Sequence, residues 1–368
     1  MLQKCKICNE EKYFRVDFNN LFLRTNSYNL KLHDFENRVC SNCGVVYHYP
    51  QISEKQEGYH YQNNFRKTKF PIYLKDNERI DFPLQFDQTG ISFQRFYNFY
   101  KIIKNLEQTS NNLKINERTT ILDYGAYQGA FLYACKKVWG SKTIAYDNNE
   151  DGLKFAREFL KIDKTYKTKK IDTDEFDEKI DICTAIQVLE HLRDPKSFFL
   201  HIREKVLKAN GYLYIEVPCA LTSEFSNPVH LHMFTKNSLK YLFESCGFQI
   251  IHLSEEEIYR YENVYPIKRH IQTMVHCLAK NVNDIKNHSH KIDIGNDIFV
   301  KLKKSHFKNS NILYFKKIKK LFIELIKMIY YGIFLLIGLF NNKLSFNIFL
   351  KMNKFLQKFR LLKKISRK

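Results

Sequence analysis

One stretch, TTILDYGAYQGAFL at residues 119–132, restricts the fold of this chain more than any other. A β-prone apolar run ends in Asp123, a glycine-bearing turn follows, and a helical pattern begins directly after the turn. A strand, a tight turn and a helix in this order are typical of the first unit of a doubly wound α/β sheet. A nucleotide-like ligand binds at such a turn, against exposed backbone N–H groups.

Further polar residues follow at the expected ends of later strands. The segment KTIAYDNN predicts a short strand ending in Asp147, 24 residues after Asp123, where an acid accepts hydrogen bonds from ribose hydroxyls. A weaker strand ends at Asp172, which either binds an adenine amino group or is a solvated acid in an acidic loop. Gln187 lies near the end of the fourth strand, and we expect it to line the same cleft.

The turn resembles motif I, D-x-G-x-G-x-G, of the class I S-adenosylmethionine-dependent methyltransferases, with Asp123, Gly125 and Gly129 on the pattern and Tyr127 in place of the middle glycine. The resemblance implies that these three matching residues frame the methionine end of S-adenosylmethionine. It also implies that Asp147 binds the ribose.

Two longer segments resemble the same family. Residues 188–218 follow its pattern VLEHL-x-D-P…G-G-x-L-x-I-x-x-P, and residues 230–248 follow H-L-x-x-F-T-x-x-S-L-x-x-L-L-x-x-A-G-F, with Val229 where the family often has Glu. Together the matches cover roughly residues 1–280, including the N-terminal cysteines. They imply an α/β fold with a Rossmann-like, seven-stranded methyltransferase sheet, whose last, antiparallel strand is predicted at residues 271–280.

Four cysteines in two C-x2-C pairs begin the chain: Cys5, Cys8, Cys40 and Cys43. Four thiolates at about 2.3 Å make a closed tetrahedral zinc site, and iron in the same cage is the alternative. Because no coordination position stays open, we expect the metal to be structural. Many relatives in the resembled family carry a module of this kind, and such relatives are frequent among enzymes that methylate sugars of bacterial surface polysaccharides.

Three histidines fall on loops at the carboxyl edge of the predicted sheet: His191, His230 and His232. A sugar hydroxyl needs a general base to become a good nucleophile, and histidine serves that purpose near neutral pH. We predict that His230 is the base, since it coincides with the family's histidine, that Glu216 orients it, and that His191 shapes the pocket. Each histidine is as readily explained as a hydrogen-bonded structural residue.

The basic charge of the chain is concentrated near its end. From residue 281 onward there are 20 Lys and Arg against 4 Asp and Glu, out of a net charge of +21 for the whole chain. Residues 328–340 form an apolar run of 13 residues, which favours an interfacial helix over a spanning one. Residues 346–364 form a basic amphipathic pattern.

This tail predicts attachment to an anionic membrane surface. A helical lid or a dimer interface remains an alternative, and nucleic acid is less favoured because long aliphatic side chains interleave with the lysines. The polar N-terminus and nine cysteines without an export signal predict a cytoplasmic protein at the inner face of the cell membrane.

The predicted activity is methyl transfer, at oxygen, to a sugar or lipid-linked glycan during surface-glycan assembly. One alternative is C-methylation of a nucleotide-linked keto-sugar, and another is a catalytically degenerate, membrane-bound scaffold, suggested by Tyr127 and Val229. The predicted domains are a zinc module at 1–60, a linker with a helical lid at 61–115, the methyltransferase domain at 116–280, a linker at 281–312 and a basic amphipathic or apolar helical tail at 313–368.

Overall fold

The computed structural model describes residues 4–16, 36–57, 91–109, 113–167, 179–222, 229–262, 268–282 and 294–302. Its strands, numbered along the chain, form a small sheet and a large one. The small sheet contains β1 Tyr13–Val16, β2 Glu36–Cys40, β3 Val46–Tyr49 and β9 His232–Met233. The large sheet contains β4 Thr120–Tyr124, β5 Lys142–Asp147, β6 Lys164–Lys167, β7 Ile180–Ile186, β8 Leu207–Pro218, β10 Phe248–Glu262 and β11 Lys268–Asn281.

The helices are α1 Ile91–Glu107, α2 Ala130–Trp139, α3 Glu150–Glu158, α4 Pro195–His201, α5 Lys236–Ser245 and α6 at 294–302. A single 3₁₀ turn, Leu189–His191, follows β7, and a π-helical turn, Ile202–Val206, extends α4.

The large sheet has the strand order β10-β11-β8-β7-β4-β5-β6. The pairs among β6, β5, β4, β7 and β8 are parallel, whereas β11 runs antiparallel to both of its neighbours. This order confirms the predicted Rossmann-like, seven-stranded methyltransferase fold and its antiparallel strand near residue 280. The carboxyl ends of β4, β5, β7 and β8 therefore meet at one edge.

Apolar cores cover both faces of this sheet. Buried residues of α1, α2 and α3 pack on one face, and those of α4 and α5 pack on the other. Helix α1 lies within the segment 61–115 that we predicted to hold a helical lid, and its Phe99 lies 4.9 Å, between ring centroids, from Tyr214 of β8. The helix thus packs against the sheet, and it places Arg95 next to Glu216 of β8.

Local sequence explains where the helices begin and end. Gly129, with φ 75°, precedes α2, and Gly140, with φ 68°, closes it by donating its N–H to the Lys136 carbonyl, as is usual for a left-handed C-terminal residue. The Asp194 side chain caps α4, which begins at Pro195, and both residues are favoured at these positions of a helix start. These ends fix the lengths of the turns that carry the polar residues.

The cysteine-bearing sheet includes β9, which lies in the chain between β8 and β10 of the large sheet. Val46 pairs with Met233 and Tyr47 with His232 in an antiparallel register, and the N–H of His48 donates to the Leu231 carbonyl at 3.3 Å. The loop that contains His230 enters β9 directly. The N-terminal sheet therefore holds one end of that loop.

Helix α6 lies within the segment that we predicted to be a linker, 281–312. Its Ile294, Ile298 and Leu302 are buried and pack with Val39 and Met233 of the small sheet. The linker prediction is wrong for residues 294–302, because an apolar side chain at every fourth position gives this helix a face to bury.

Asp172 and the whole predicted tail, 313–368, lie outside the described residues, as do residues 61–90 of the predicted linker and lid, 61–115. Within the part of the chain that the structure describes, none of the helices combines the length and the apolarity that crossing a bilayer requires.

Candidate functional site

The turn after β4 is shaped by left-handed backbone conformations. Gly125, Tyr127 and Gly129 have φ values of 79°, 49° and 75°, and only glycine adopts such values at no steric cost. Tyr127 therefore keeps the conformation that a glycine would take at its position. The N–H groups of Gly125 and Ala126 both point to the Tyr146 carbonyl, at 2.8 and 3.3 Å, so these two groups are hydrogen-bonded within the protein.

Asp147, at the end of β5, is tied to this turn. Its Oδ2 accepts a hydrogen bond of 2.7 Å from the Tyr127 N–H, and its Oδ1 accepts one of 2.7 Å from the Asn149 N–H. The side chain is 9% exposed. Each carboxylate oxygen has a second lone pair, so Asp147 retains the capacity to accept hydrogen bonds from a pair of vicinal hydroxyls.

Asp123, at the end of β4, is buried with one strong partner. Its Oδ1 accepts a hydrogen bond of 2.6 Å from the Thr184 hydroxyl. Burial raises the pKa of Asp123 to about 7, and the carboxylates of Asp147 and Glu216 act in the same direction, while Thr184 and Arg95 oppose it. A cationic group of a ligand near Asp123 would favour the ionised carboxylate.

Glu216 of β8 lies among other polar residues on the face of the large sheet that α1 covers. It is fully buried, with Arg95 Nε 3.3 Å from its Oε1 and His276 Nδ1 3.5 Å from its Oε2. The Tyr214 hydroxyl is 2.9 Å from the same His276 nitrogen, and burial lowers the pKa of His276 while Glu216 raises it. The histidine beside Glu216 is thus His276, and the role of Glu216 in orienting His230 stays a prediction.

Gln187 borders the same group of residues. Its backbone has φ 58° and its N–H donates to the Glu216 carbonyl at 2.9 Å. The side-chain Nε2 lies 3.5 Å from Glu216 Oε1 and 3.3 Å from Met274 Sδ. Gln187 therefore lies at the carboxyl edge as predicted, and its amide is directed to Glu216.

His191 and His230 lie together at the carboxyl edge. Their rings meet edge to face with centroids 4.8 Å apart. His191 Nδ1 is 2.8 Å from the Val229 carbonyl oxygen, and its Nε2 is 3.8 Å from Oε1 of Glu190. His232 differs, because its Nδ1 bonds the Leu192 carbonyl at 2.9 Å and burial lowers its pKa to about 4.

Sequence reasoning missed Arg95, Thr184 and His276. The signal for Arg95 was present, since it is the one charged residue in the first ten residues of α1, ISFQRFYNFY, which are rich in aromatic side chains. Such a charge on an apolar helix face predicts a buried partner. His276 and Thr184 stand in alternating strands with no local feature that distinguishes them.

The four N-terminal cysteines converge as predicted. Cys5 Sγ and Cys43 Sγ are 3.6 Å apart, and Cys8 Sγ and Cys40 Sγ are 3.4 Å apart, close to the roughly 3.8 Å edge of a tetrahedron of zinc-bound thiolates. All four sulfurs lie within 4.8 Å of one another. Burial raises the pKa of the Cys43 thiol, so a cation is needed to keep all four as thiolates. The donor set and its geometry fit Zn²⁺.

Comparison with known proteins gives a match for the part of the chain that forms the carboxyl-edge site. Residues 93–253 match a family model described as a methyltransferase domain. Residues 93–253 form a methyltransferase domain. These residues make up less than half of the chain, and they include the turn after β4, Asp147 and the His191–His230 pair. The four cysteines lie outside the matched residues.

Solved structures also resemble about half of the chain. A methyltransferase candidate from Bacillus halodurans is 16% identical over 51% of this chain and 100% of its own, with a TM-score of 0.41. A SAM-dependent methyltransferase from Aquifex aeolicus is 18% identical over 51% and 98% of the two chains, with a TM-score of 0.36. A precorrin-6y C5,15-methyltransferase from Geobacter metallireducens is 10% identical over 51% and 87%, with a TM-score of 0.36. A sequence comparison with curated proteins gives no match.

Proposed function

We propose that this methyltransferase transfers a methyl group from S-adenosylmethionine to a hydroxyl of a sugar during the assembly of a surface glycan. The observation that carries the proposal is the bond between the Tyr127 N–H and Asp147. It couples the turn after β4 to an acid at the end of β5, the pair of features that an adenosine ligand requires at this edge.

The methyl donor fits the charges of the edge. Asp147 would hold the ribose hydroxyls, and buried Asp123, with its raised pKa, would face the ammonium group of the methionine part. S-adenosylmethionine supplies a methyl group activated on a sulfonium. The protein's part is to align the acceptor oxygen with that methyl group, and alignment provides much of the rate.

The acceptor would lie beside the His191–His230 pair. We assign the proton of the acceptor hydroxyl to His230, whose loop ends in β9. A sugar acceptor is supported by the resemblance of the cysteine module to modules in sugar methyltransferases and by the need of an aliphatic hydroxyl for a base. The left-handed Tyr127, with φ 49°, counts against the scaffold alternative, because the turn keeps the shape that glycine would give it.

We also propose that the cysteine cluster binds structural Zn²⁺, since four thiolates leave no open position for chemistry. By binding zinc, the N-terminal module, which pairs with β9, would keep the loop that contains His230 in place. Metal analysis of the purified protein should give one zinc per chain, which Cys40→Ser should remove.

Attachment to an anionic membrane remains part of the proposal, and the basic residues beyond 305 support it. A matched comparison would use the full chain and a chain ending at Ser305, since α6 packs on the small sheet and should be kept. The full chain should sediment with anionic vesicles and not with neutral ones. Equal behaviour of the two proteins would overturn this part.

The central experiment is calorimetric titration of S-adenosylmethionine into the full-length, zinc-loaded protein. Binding should be lost in Asp147→Ala and kept in Asp151→Ala, an exposed acid in the first turn of α3. Transfer of isotope-labelled methyl to nucleotide-linked and lipid-linked sugars should follow, and NMR of the product separates O-methyl from C-methyl. A folded protein without S-adenosylmethionine binding would overturn the proposed activity.

A further inference from the structure

A second group of possible metal ligands lies at the carboxyl edge, away from the cysteines. Glu190 and His191 belong to the 3₁₀ turn after β7, and His230 lies in the loop before β9. One donor atom from each of these three residues lies within 4.8 Å of the other two. Ligands at about 2.1 Å from a shared cation are about 3 to 3.5 Å apart, so modest side-chain rotation would close the set.

The hydrogen bond of His191 prepares it for coordination. A backbone carbonyl only accepts, so the 2.8 Å contact with Val229 places the proton of the neutral ring on Nδ1 and the lone pair on Nε2. That Nε2 is the atom 3.8 Å from Glu190 Oε1. A metal-binding histidine usually donates its other ring N–H to a carbonyl or carboxylate in this way.

Burial and charge also favour a cation. Glu190 is 1% exposed, so its carboxylate lies away from bulk water, where its attraction for a cation is stronger than in water. The two histidines are only partly buried, so the side of the cluster that they form is open to a ligand from solvent. His232, two residues from His230, is directed to the Leu192 carbonyl and is not part of the set.

Two imidazoles and one carboxylate suit a divalent first-row transition metal, whereas four thiolates suit zinc in a closed site. We propose that Glu190, His191 and His230 bind such a divalent cation and leave coordination positions open at the carboxyl edge. Cation binding follows from these three residues alone. The further step, that an acceptor oxygen occupies an open position, rests on the proposed function.

The cation would change the part that His230 plays. In the metal-free protein His230 accepts the acceptor's proton itself, whereas in the loaded protein it is a ligand and the cation lowers the pKa of a bound hydroxyl. An acceptor with two adjacent hydroxyls, as in many sugars, would match a site with more than one open position. The cluster thus restricts the class of possible acceptors to oxygen-rich molecules that can coordinate a metal.

The test uses Mn²⁺ alone, because it prefers oxygen and nitrogen over thiolate ligands and free Mn²⁺ has a distinct EPR signal. Titration of the zinc-loaded, full-length protein should show one bound Mn²⁺ per chain. Glu190→Gln and His230→Asn should each weaken binding at least tenfold. His252→Asn is the matched control, since His252 bonds Ser254 on β10, and its Mn²⁺ affinity should equal that of the unchanged protein.

Unfolding temperatures should accompany the titrations, because Glu190 is buried. Pulsed EPR gives a second measure: nitrogen couplings to bound Mn²⁺ should be present, and His230→Asn should reduce them. Absence of bound Mn²⁺, or equal affinity in folded Glu190→Gln and His230→Asn proteins, would overturn the inference. S-adenosylmethionine binding without Mn²⁺ binding would leave the proposed activity intact, and the reverse result would overturn that activity and leave the metal site.

Discussion

The backbone N–H of Tyr127 donates a 2.7 Å hydrogen bond to the carboxylate of Asp147. The shape of the turn after β4 and the placement of the acid after β5 are therefore one property of the site. Tyr127 holds its N–H in this direction at φ 49°, a conformation that costs an ordinary residue about 1–2 kcal/mol.

Two substitutions at Tyr127 separate its backbone from its side chain. Tyr127→Gly keeps the N–H and tolerates the positive φ, so S-adenosylmethionine affinity should stay within threefold of the unchanged protein. Tyr127→Pro removes the N–H and requires φ near −65°, so affinity should fall at least tenfold. Calorimetric titration checks both. A large loss in Tyr127→Gly would assign the role to the phenol ring instead.

Asp123 should make cofactor binding depend on pH. Its pKa is raised by burial from 3.8 to about 7, so the cofactor-free protein holds a proton there between these values, and the free energy of unfolding should fall as pH rises from 4 to 7. A cationic cofactor favours the ionised form. Its affinity should therefore weaken by up to tenfold for each pH unit below 7.

Titration at pH 6 in buffers of different ionisation enthalpy should detect up to one proton released per S-adenosylmethionine bound. Asp123→Asn should bind more weakly and release none, while Asp151→Asn should behave as the unchanged protein. A flat pH profile for the unchanged protein would contradict a role for Asp123 near the cationic part of the cofactor.

The Arg95–Glu216 pair should be important for stability. Glu216 is fully buried and its Oε1 is 3.3 Å from Arg95 Nε, so Arg95→Met strands a carboxylate and should lower the free energy of unfolding by about 3–5 kcal/mol. The double variant Arg95→Met, Glu216→Gln should recover most of that loss. Denaturant unfolding at pH 7 measures both.

Lys101 offers a control on the same helix. It pairs with Glu256 at 2.8 Å, but their side chains are 40% and 30% exposed, so Lys101→Met should change stability by less than about 1 kcal/mol. Equal losses of unfolding free energy in Arg95→Met and Lys101→Met would mean that the buried pair stabilises the protein no more than the exposed pair does.

Loss of the cysteine-bound metal should increase local opening near His230, where the methyl acceptor is proposed to bind, before it affects the strands that form the cofactor site. Cys8→Ser should accelerate amide hydrogen exchange at residues 229–234, because β9 pairs only two residues with β3. Exchange in β4, in the middle of the large sheet, should not change. Cys135→Ala is the control, since Cys135 is buried in the core on the other face of the large sheet. Uniform acceleration across both sheets would contradict this order.

The parts that could be predicted from sequence are those with a local cause. The turn at Gly125, the start of α4 at Pro195 and the C-x2-C pairs each rest on residues close together in the chain. The partner of Glu216 could not be predicted in this way, because it depends on the register between β8 and β11, which is set by packing of the whole sheet.

The sequence prediction failed at helix α6 for a different reason. Its spacing of Ile294, Ile298 and Leu302 is a local signal, but the surrounding polar residues made the segment resemble a linker. The helix is explained only by the apolar surface of the small sheet on which it packs. A single short amphipathic pattern forms a stable helix only when its apolar face packs on another surface, and here that surface is distant in sequence.

The pairing of β9 with β3 limits how this protein can be recombined with others. An exchange of residues 1–60 alone would bring in a foreign strand edge to face His232 and Met233, with no guarantee of a matching register. A chimera should carry residues 229–235 and the helix at 294–302 together with the N-terminal segment. What looks in the sequence like a detachable cassette is, for a protein engineer, a unit assembled from three separate parts of the chain.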